Sequence, residues 1–182
     1  MFILVIGGAA SGKSEYAENL AINLCNKEKI YVATMQPFGE IAKEKIKRHK
    51  ELRKHKGFKT VEKFNNLHGI LQKDLQGTVL VECMSNLMAN EMYNYNNENS
   101  KLKKINPVKK IINDIQYIQK NSQNIIVVTS EVFSDGIKYD EFTNKYIENL
   151  AKLNIELANL CDKMVEVIYS IPIEIKSKGR QN

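Results

Sequence analysis

Phe2-Ile3-Leu4-Val5-Ile6-Gly7-Gly8-Ala9-Ala10-Ser11-Gly12-Lys13-Ser14 is the stretch whose reading decides the fold. Residues 2–6 are a continuous apolar run rich in β-branched side chains, the pattern of a strand buried on both faces. Gly7-Gly8 breaks the run. From Lys13 to Asn26 a helical stripe follows, carried by Tyr16, Leu20, Ile22 and Leu24. Gly7 to Ser14 fits G-x-x-x-x-G-K-[ST], and it lies between a strand and a helix, the setting this motif needs. The glycines let the backbone curl until its N–H groups converge on phosphate oxygens. The helix behind them directs its positive end at the same anion. Gly7, Gly8, Ala9, Ala10, Ser11, Gly12, Lys13 and Ser14 are therefore expected to bind a nucleotide. Lys13 would reach the β- and γ-phosphates, and Ser14 would offer its hydroxyl to Mg²⁺.

Working outward, the same alternation continues. Ile30–Thr34, Thr78–Glu82, Ile125–Thr129 and Met164–Tyr169 read as further apolar strands, and Ile171–Ile175 as a short edge piece. Between them lie helical patterns at Glu40–Lys54, Met84–Met92, Val108–Ile118 and Asp140–Cys161, with a short helix marked by Leu67, Ile70, Leu71 and Leu75. Asn106-Pro107 supplies an N-cap and a first-turn proline. The polar, Asn-rich segment Asn94–Lys104 is expected to be a surface loop, and Ser177–Asn182 to fray. Strands alternating with helices call for a mainly parallel sheet with helices on both faces. The expected fold is α/β, a single P-loop NTPase (RecA-like) domain over residues 1–182.

Composition fits this and removes rivals. The chain has 182 residues, 43% of them apolar and 26% charged, so a buried core is expected without staples. Its net charge of +6 is modest for that length, and a phosphate ligand accounts for it as well as a nucleic acid does. Cys25, Cys83 and Cys161 are too far apart for a C-x-x-C zinc pair. Reduced, buried thiols and a cytoplasmic location are expected. No stretch approaches the ~20 apolar residues of a membrane span.

An enzyme of this class needs an acid beside Mg²⁺ at the carboxyl end of another strand. Glu82 and Glu131 both stand at such ends, and Glu82 is favoured. Of the three histidines, His68 reads as structural. His49 differs, because Lys45 and Arg53 stand at i−4 and i+4 on its helix face. Those cations favour a neutral, nucleophilic imidazole and would attract a phosphate chain. From spacing alone, a solvated charged helix is still the favoured reading of that segment.

The ordered set of segments resembles the bifunctional adenosylcobinamide kinase/adenosylcobinamide-phosphate guanylyltransferase family. The resemblance runs over nearly the whole chain: the residues 2–14 stretch, Tyr31–Gln36 (YVATMQ), Lys45–Arg53 (KIKRHKELR), Val79–Met92 (VLVECMSNLMANEM), Val127–Val132 (VVTSEV), and a terminal pattern holding Asn154, Ala158, Asp162 and Pro172. It implies phosphorylation of adenosylcobinamide by GTP or ATP, then transfer of GMP from GTP to the resulting phosphate. His49 falls on the histidine that carries the guanylyl group. The catalytic pair is then His49 and Lys13. Glu62 and Glu82 complete the nucleotide-binding set, and Ser14 and Glu82 are the Mg²⁺ ligands. A homo-oligomer is implied. The chain departs from the family at Ala10, often Arg there, at Tyr146-Ile147-Glu148 in place of F-R-D, and at Tyr169-Ser170 in place of S-G. The rival expectations are another small-molecule P-loop kinase without a covalent intermediate, and a nucleotide-driven nucleic-acid module using the basic Lys43–Lys59 segment. The latter lacks aromatic interleaving apart from Phe58.

Overall fold

The structure, a computed structural model, describes residues 1–24, 28–96, 106–132 and 139–178. Seven strands are described: β1 (Phe2–Ile6), β2 (Lys29–Ala33), β3 (Phe58–Glu62), β4 (Thr78–Glu82), β5 (Asn124–Val128), β6 (Lys163–Ile168) and β7 (Ile171–Ser177). They form one sheet in the order β3-β2-β4-β5-β1-β6-β7. Every pairing from β3 to β6 is parallel, and β7 runs antiparallel to β6. The helices are α1 (Lys13–Leu24), α2 (Gly39–Arg53), α3 (Met84–Asn96), α4 (Pro107–Asn121) and α5 (Glu141–Leu160). The expected fold class is the one observed.

Strand side chains alternate between faces, so each apolar run feeds two cores. Phe2, Leu4, Val79, Val81, Ile125 and Val127 face the layer that carries Leu87, Ile111, Ile115, Leu150 and Leu153 of α3, α4 and α5. Ile3, Val5, Tyr31, Leu80, Ile126 and Val128 face Ala17 and Ala21 of α1. The inner face of α1 is thus two alanines with the buried Glu18, rather than the larger stripe read from the sequence. Tyr16, Leu20 and Leu24 pack only at its flanks. Small residues let α1 lie close over the sheet, which fixes the loop that precedes it.

Three expectations change. Residues 67–75 form two 3₁₀ turns, Leu67–Gly69 and Gln72–Asp74, instead of a helix. The backbone N–H groups of Leu67 and His68 donate to the Asp114 carboxylate on α4, and Leu71 turns outward. Tertiary bonds here replace a helix that is too short to sustain itself. The edge piece at residue 171 is a seven-residue strand, closed onto β6 by the Tyr169–Ser170 turn with φ of 49° and 63°. Both values lie in the left-handed region that a tight two-residue hairpin requires. The start of the Asn94–Lys104 segment belongs to α3, and residues 97–105 lie outside those described, as do Cys25 and residues 179–182.

Candidate active site

Residues 7–12 leave β1 at the carboxyl edge of the parallel strands and lead into α1. A Cβ on Gly7 would come within 2.5 Å of Ser11 Oγ and 2.6 Å of the Val167 carbonyl oxygen, so only glycine fits there. Gly12 has φ of +90° and is backed by Ser170. Ala10 adopts φ of 55°, and both Ala9 and Ala10 are exposed at the tip. Backbone bonds tie the loop to itself and to its neighbours. Ser11 N–H donates to Gly8 O (3.3 Å), Glu131 N–H to Gly7 O (3.1 Å), and Ser170 N–H to Ser11 O (2.8 Å). The β6–β7 turn therefore buttresses the loop directly, with Ser170 supplying one of its bonds.

Lys13 lies over this loop, its Nζ donating to Gly8 O at 2.9 Å. Burial lowers its pKa. The charges of Cys83 and Glu82 oppose that shift, and the nearby Lys45 of α2 adds to it. Ser14 Oγ donates to Glu82 Oε1 at 2.5 Å, which joins the start of α1 to the end of β4 across the intervening β5. Glu82 Oε2 is buried without a well-formed hydrogen bond among the described residues, the Tyr31 hydroxyl being close enough to the carboxylate to interact with it only weakly. A buried carboxylate oxygen so weakly partnered is costly unless a cation or donor joins it. Glu131, the rival acid, contributes its backbone N–H to Gly7 O; the carboxylate bonded to Ser14 is that of Glu82.

Glu82 also lines a cavity of about 260 Å³. His49 and Glu62 line it too, so the three residues singled out away from the loop meet in one place. Met35, Pro37, Ile46 and Phe64 give it apolar walls. Lys50 Nζ bonds Glu62 Oε1 at 2.7 Å across the rim. His49 reaches the cavity from α2, a helix with only one buried residue, Arg53. The Arg53 guanidinium stacks on the Tyr31 ring, 3.5 Å from its centroid. Tyr31 is itself buried, and burial together with the Glu82 charge pushes its hydroxyl pKa up. Glu18 of α1, 4% exposed, pairs with Lys56 (2.6 Å) and Arg53 (3.9 Å). Sequence reasoning passed over Glu18 and Tyr31. The only available sign was an acid at i+1 of the Ala17/Ala21 face, whose partners are more than 30 residues away.

The other histidines stand apart. His55 is exposed in the turn after α2 and does not line the cavity. His68 stacks on Tyr117 at 4.0 Å between centroids, in keeping with a structural role. Next to Glu82 in the cavity wall, Cys83 is a free, half-buried thiol 2.9 Å from Ser85 Oγ, and burial raises its pKa. Tyr146, whose hydroxyl donates to Ser85 O at 3.3 Å, has its pKa pushed up to about 12 by burial. Cys161 is buried and free. Among the described residues no helix is long and apolar enough to cross a membrane.

A family model described as cobinamide kinase / cobinamide phosphate guanyltransferase matches residues 3–175. Two curated relatives are each called bifunctional adenosylcobalamin biosynthesis protein CobU. The protein from Escherichia coli (strain K12) is 26% identical, covering 97% of this chain and 100% of its own length. The protein from Salmonella typhimurium (strain LT2) is 27% identical over the same shares. Among solved structures, the flagellar accessory protein FlaH from Methanocaldococcus jannaschii superposes with a TM-score of 0.52 at 12% identity, covering 97% of this chain and 78% of that one. A prototypical ATPase from the type III secretion system of pathogenic bacteria gives 0.53 at 10%, covering 97% and 56%. These two likenesses concern the fold alone.

Proposed function

Because the chain belongs to the cobinamide kinase / cobinamide phosphate guanyltransferase family, we propose that one site, shared between the residues 7–14 loop and the His49 cavity, carries both reactions. The enzyme is an adenosylcobinamide kinase and adenosylcobinamide-phosphate guanylyltransferase of cobalamin biosynthesis. In the first step the adenosylcobinamide hydroxyl oxygen attacks the γ-phosphorus of a nucleoside triphosphate, and the diphosphate leaves. In the second, a ring nitrogen of His49 attacks the α-phosphorus of GTP and pyrophosphate leaves. The phosphate of adenosylcobinamide phosphate then attacks the guanylyl-His49 phosphorus. This forms adenosylcobinamide-GDP and frees the imidazole.

The observation that carries this reading is Glu82, which is bonded to Ser14 of the loop and also lines the cavity that His49 enters. Lys13 and the loop N–H groups hold the phosphate chain and stabilise the charge on the departing group. The imidazole needs only to come within about 3–3.5 Å of the α-phosphorus. Lys45, close enough to Lys13 to affect its protonation, adds positive charge over the same chain. Glu62 offers a carboxylate that can accept two donors from a guanine edge, with the apolar walls covering the base faces. Ser14 and the weakly partnered Glu82 Oε2 fit Mg²⁺, which takes few protein ligands and completes its shell with phosphate and water oxygens. When bound, that ion would neutralise charge on the β- and γ-phosphates. We place the enzyme in the cytoplasm as a homo-oligomer and as one folded domain.

A corrinoid assay tests the reading. Adenosylcobinamide with ATP alone should give only the phosphate, or nothing if GTP serves both steps. With GTP it should proceed to the GDP adduct. Phosphorylation that never proceeds to the adduct with GTP would favour a simple P-loop kinase.

A further inference from the structure

His49 sits on a helix with little to hold it. Of the fifteen residues in α2 only Arg53 is buried, while Phe38 and Ile41 at its other end are 89% and 82% exposed. Arg53 is one helical turn beyond His49, on the same face. Its guanidinium, which also lines the cavity, lies over the Tyr31 ring of β2, and its Nη1, without a hydrogen bond among the described residues, stands 3.9 Å from the Glu18 carboxylate of α1. Glu18 also takes Lys56 from the turn that follows α2. The Glu18 side chain is 5% exposed and does not line the cavity. It sits one turn after Ser14 on the same helix, so it is rigidly linked to the phosphate loop.

We propose that Glu18 is a positioning residue for guanylyl transfer: it anchors the C-terminal end of α2 through Arg53 and Lys56, and so sets where His49 stands relative to the phosphate loop. This rests on His49 being the nucleophile. Its logic is electrostatic. Removing the carboxylate leaves the buried Arg53 without its counter-charge, and an unpaired buried cation moves toward water. The turn carrying His49 would move with it. Lys13, Ser14 and Glu82 lie on α1 and β4, and their mutual contacts do not pass through α2. Of the α2 residues Lys45 alone acts on Lys13, and only through its charge, so the kinase step should lose far less than guanylyl transfer, which needs His49 itself in place.

Glu18→Gln keeps the shape and removes the charge. At saturating triphosphate its kinase kcat should stay within about twofold of wild type, while the single-turnover rate of protein guanylylation from α-labelled GTP falls about tenfold to a hundredfold, the usual cost of misplacing a reacting group by about an ångström. Trypsin should cut the Lys- and Arg-rich α2 faster in the variant, a readout independent of the chemistry. Lys56→Gln, at a partly buried position, should act in the same direction more weakly, and it carries the test if Glu18→Gln does not fold. Unchanged cleavage of α2 in the variant that folds would overturn the anchor. Faster cleavage with unchanged guanylylation, or equal loss of both activities, would overturn the positioning role. His49→Ala is included in the series: if it keeps its label, the nucleophile assignment fails and this proposal with it, whatever Glu18→Gln does.

Discussion

Single residues at this site carry obligations that their types alone make clear. Gly7 is glycine because Ser11 and the Val167 carbonyl occupy the space a side chain would take. Lys13 is the one loop cation, and burial has already lowered its pKa, so its charge is costly to keep there without an anion. Replacing it with Ala leaves the backbone cradle but removes the charge aimed at the phosphates. Both activities should fall by about a hundredfold or more, the scale on which one preorganised donor or cation contributes to phosphoryl chemistry. Steady-state rates at saturating GTP measure this, and near-normal turnover of Lys13→Ala would show that the loop does not act on phosphate. The loop was legible in the sequence because its chemistry is local: eight consecutive residues specify a turn, a helix start and a cation. Glu18 was not, because a buried acid is recognised only by partners that the chain brings from far away.

At the scale of elements, the strands were readable because uninterrupted apolar runs leave few alternatives to a sheet covered on both faces. The Leu67–Leu75 segment was misread for an equally physical reason. Its spacing is helical, but nine residues cannot sustain a helix once Asp114 takes the backbone donors that would begin it. The α4 terminus shows the opposite case, a local signal that holds. Asn106 Oδ1 accepts from the N–H groups of Val108 (2.9 Å) and Lys109 (3.4 Å), and Pro107 fills the first helical position, where no donor is needed. Asn106→Ala should therefore cost about 1 kcal/mol, read as a shift of the urea midpoint with unchanged slope. A change within experimental error would mean that packing of Val108, Ile111 and Ile115 alone sets where α4 starts. The helix α2 lies between these cases. Its spacing reads as a solvated charged helix and α2 does lie on the surface, but the residue that ties it to the body is a charged one, Arg53, which a hydrophobic pattern cannot reveal.

Over the whole molecule, the sheet brings residues 7–14, Glu62 and Glu82 to one edge, since β1, β3 and β4 all run parallel. At the amino ends of the strands β1 is tied to the start of β6 by a reciprocal pair of bonds, Phe2 N–H to Asp162 Oδ2 and Asp162 N–H to Phe2 O, both 2.8 Å. The Phe2 N–H bond holds the Asp162 carboxyl below its ordinary pKa of 3.8, with a further contribution from Lys178. A folded pKa below the unfolded one means that the stabilisation is fully present above the unfolded value. It is lost as pH falls through the lower, folded one. Asp162→Asn should cost about 1 kcal/mol at neutral pH, partial exposure screening the rest. The gap to wild type should close as pH drops below about 4. A gap that stays constant with pH, followed by denaturant titration, would assign the loss to packing.

The same parallel edge is where His49 arrives from α2, and the central claim is that this histidine carries the guanylyl group. Incubation of the protein with α-labelled GTP and Mg²⁺, followed by denaturation and separation, tests it most directly. Wild type and His55→Ala should retain label in an acid-labile, alkali-stable bond, as a phosphoramidate does, and His49→Ala should retain none while still phosphorylating adenosylcobinamide. Label that persists undiminished on His49→Ala, or a wild type that never takes up label while its kinase activity is intact, would contradict the account.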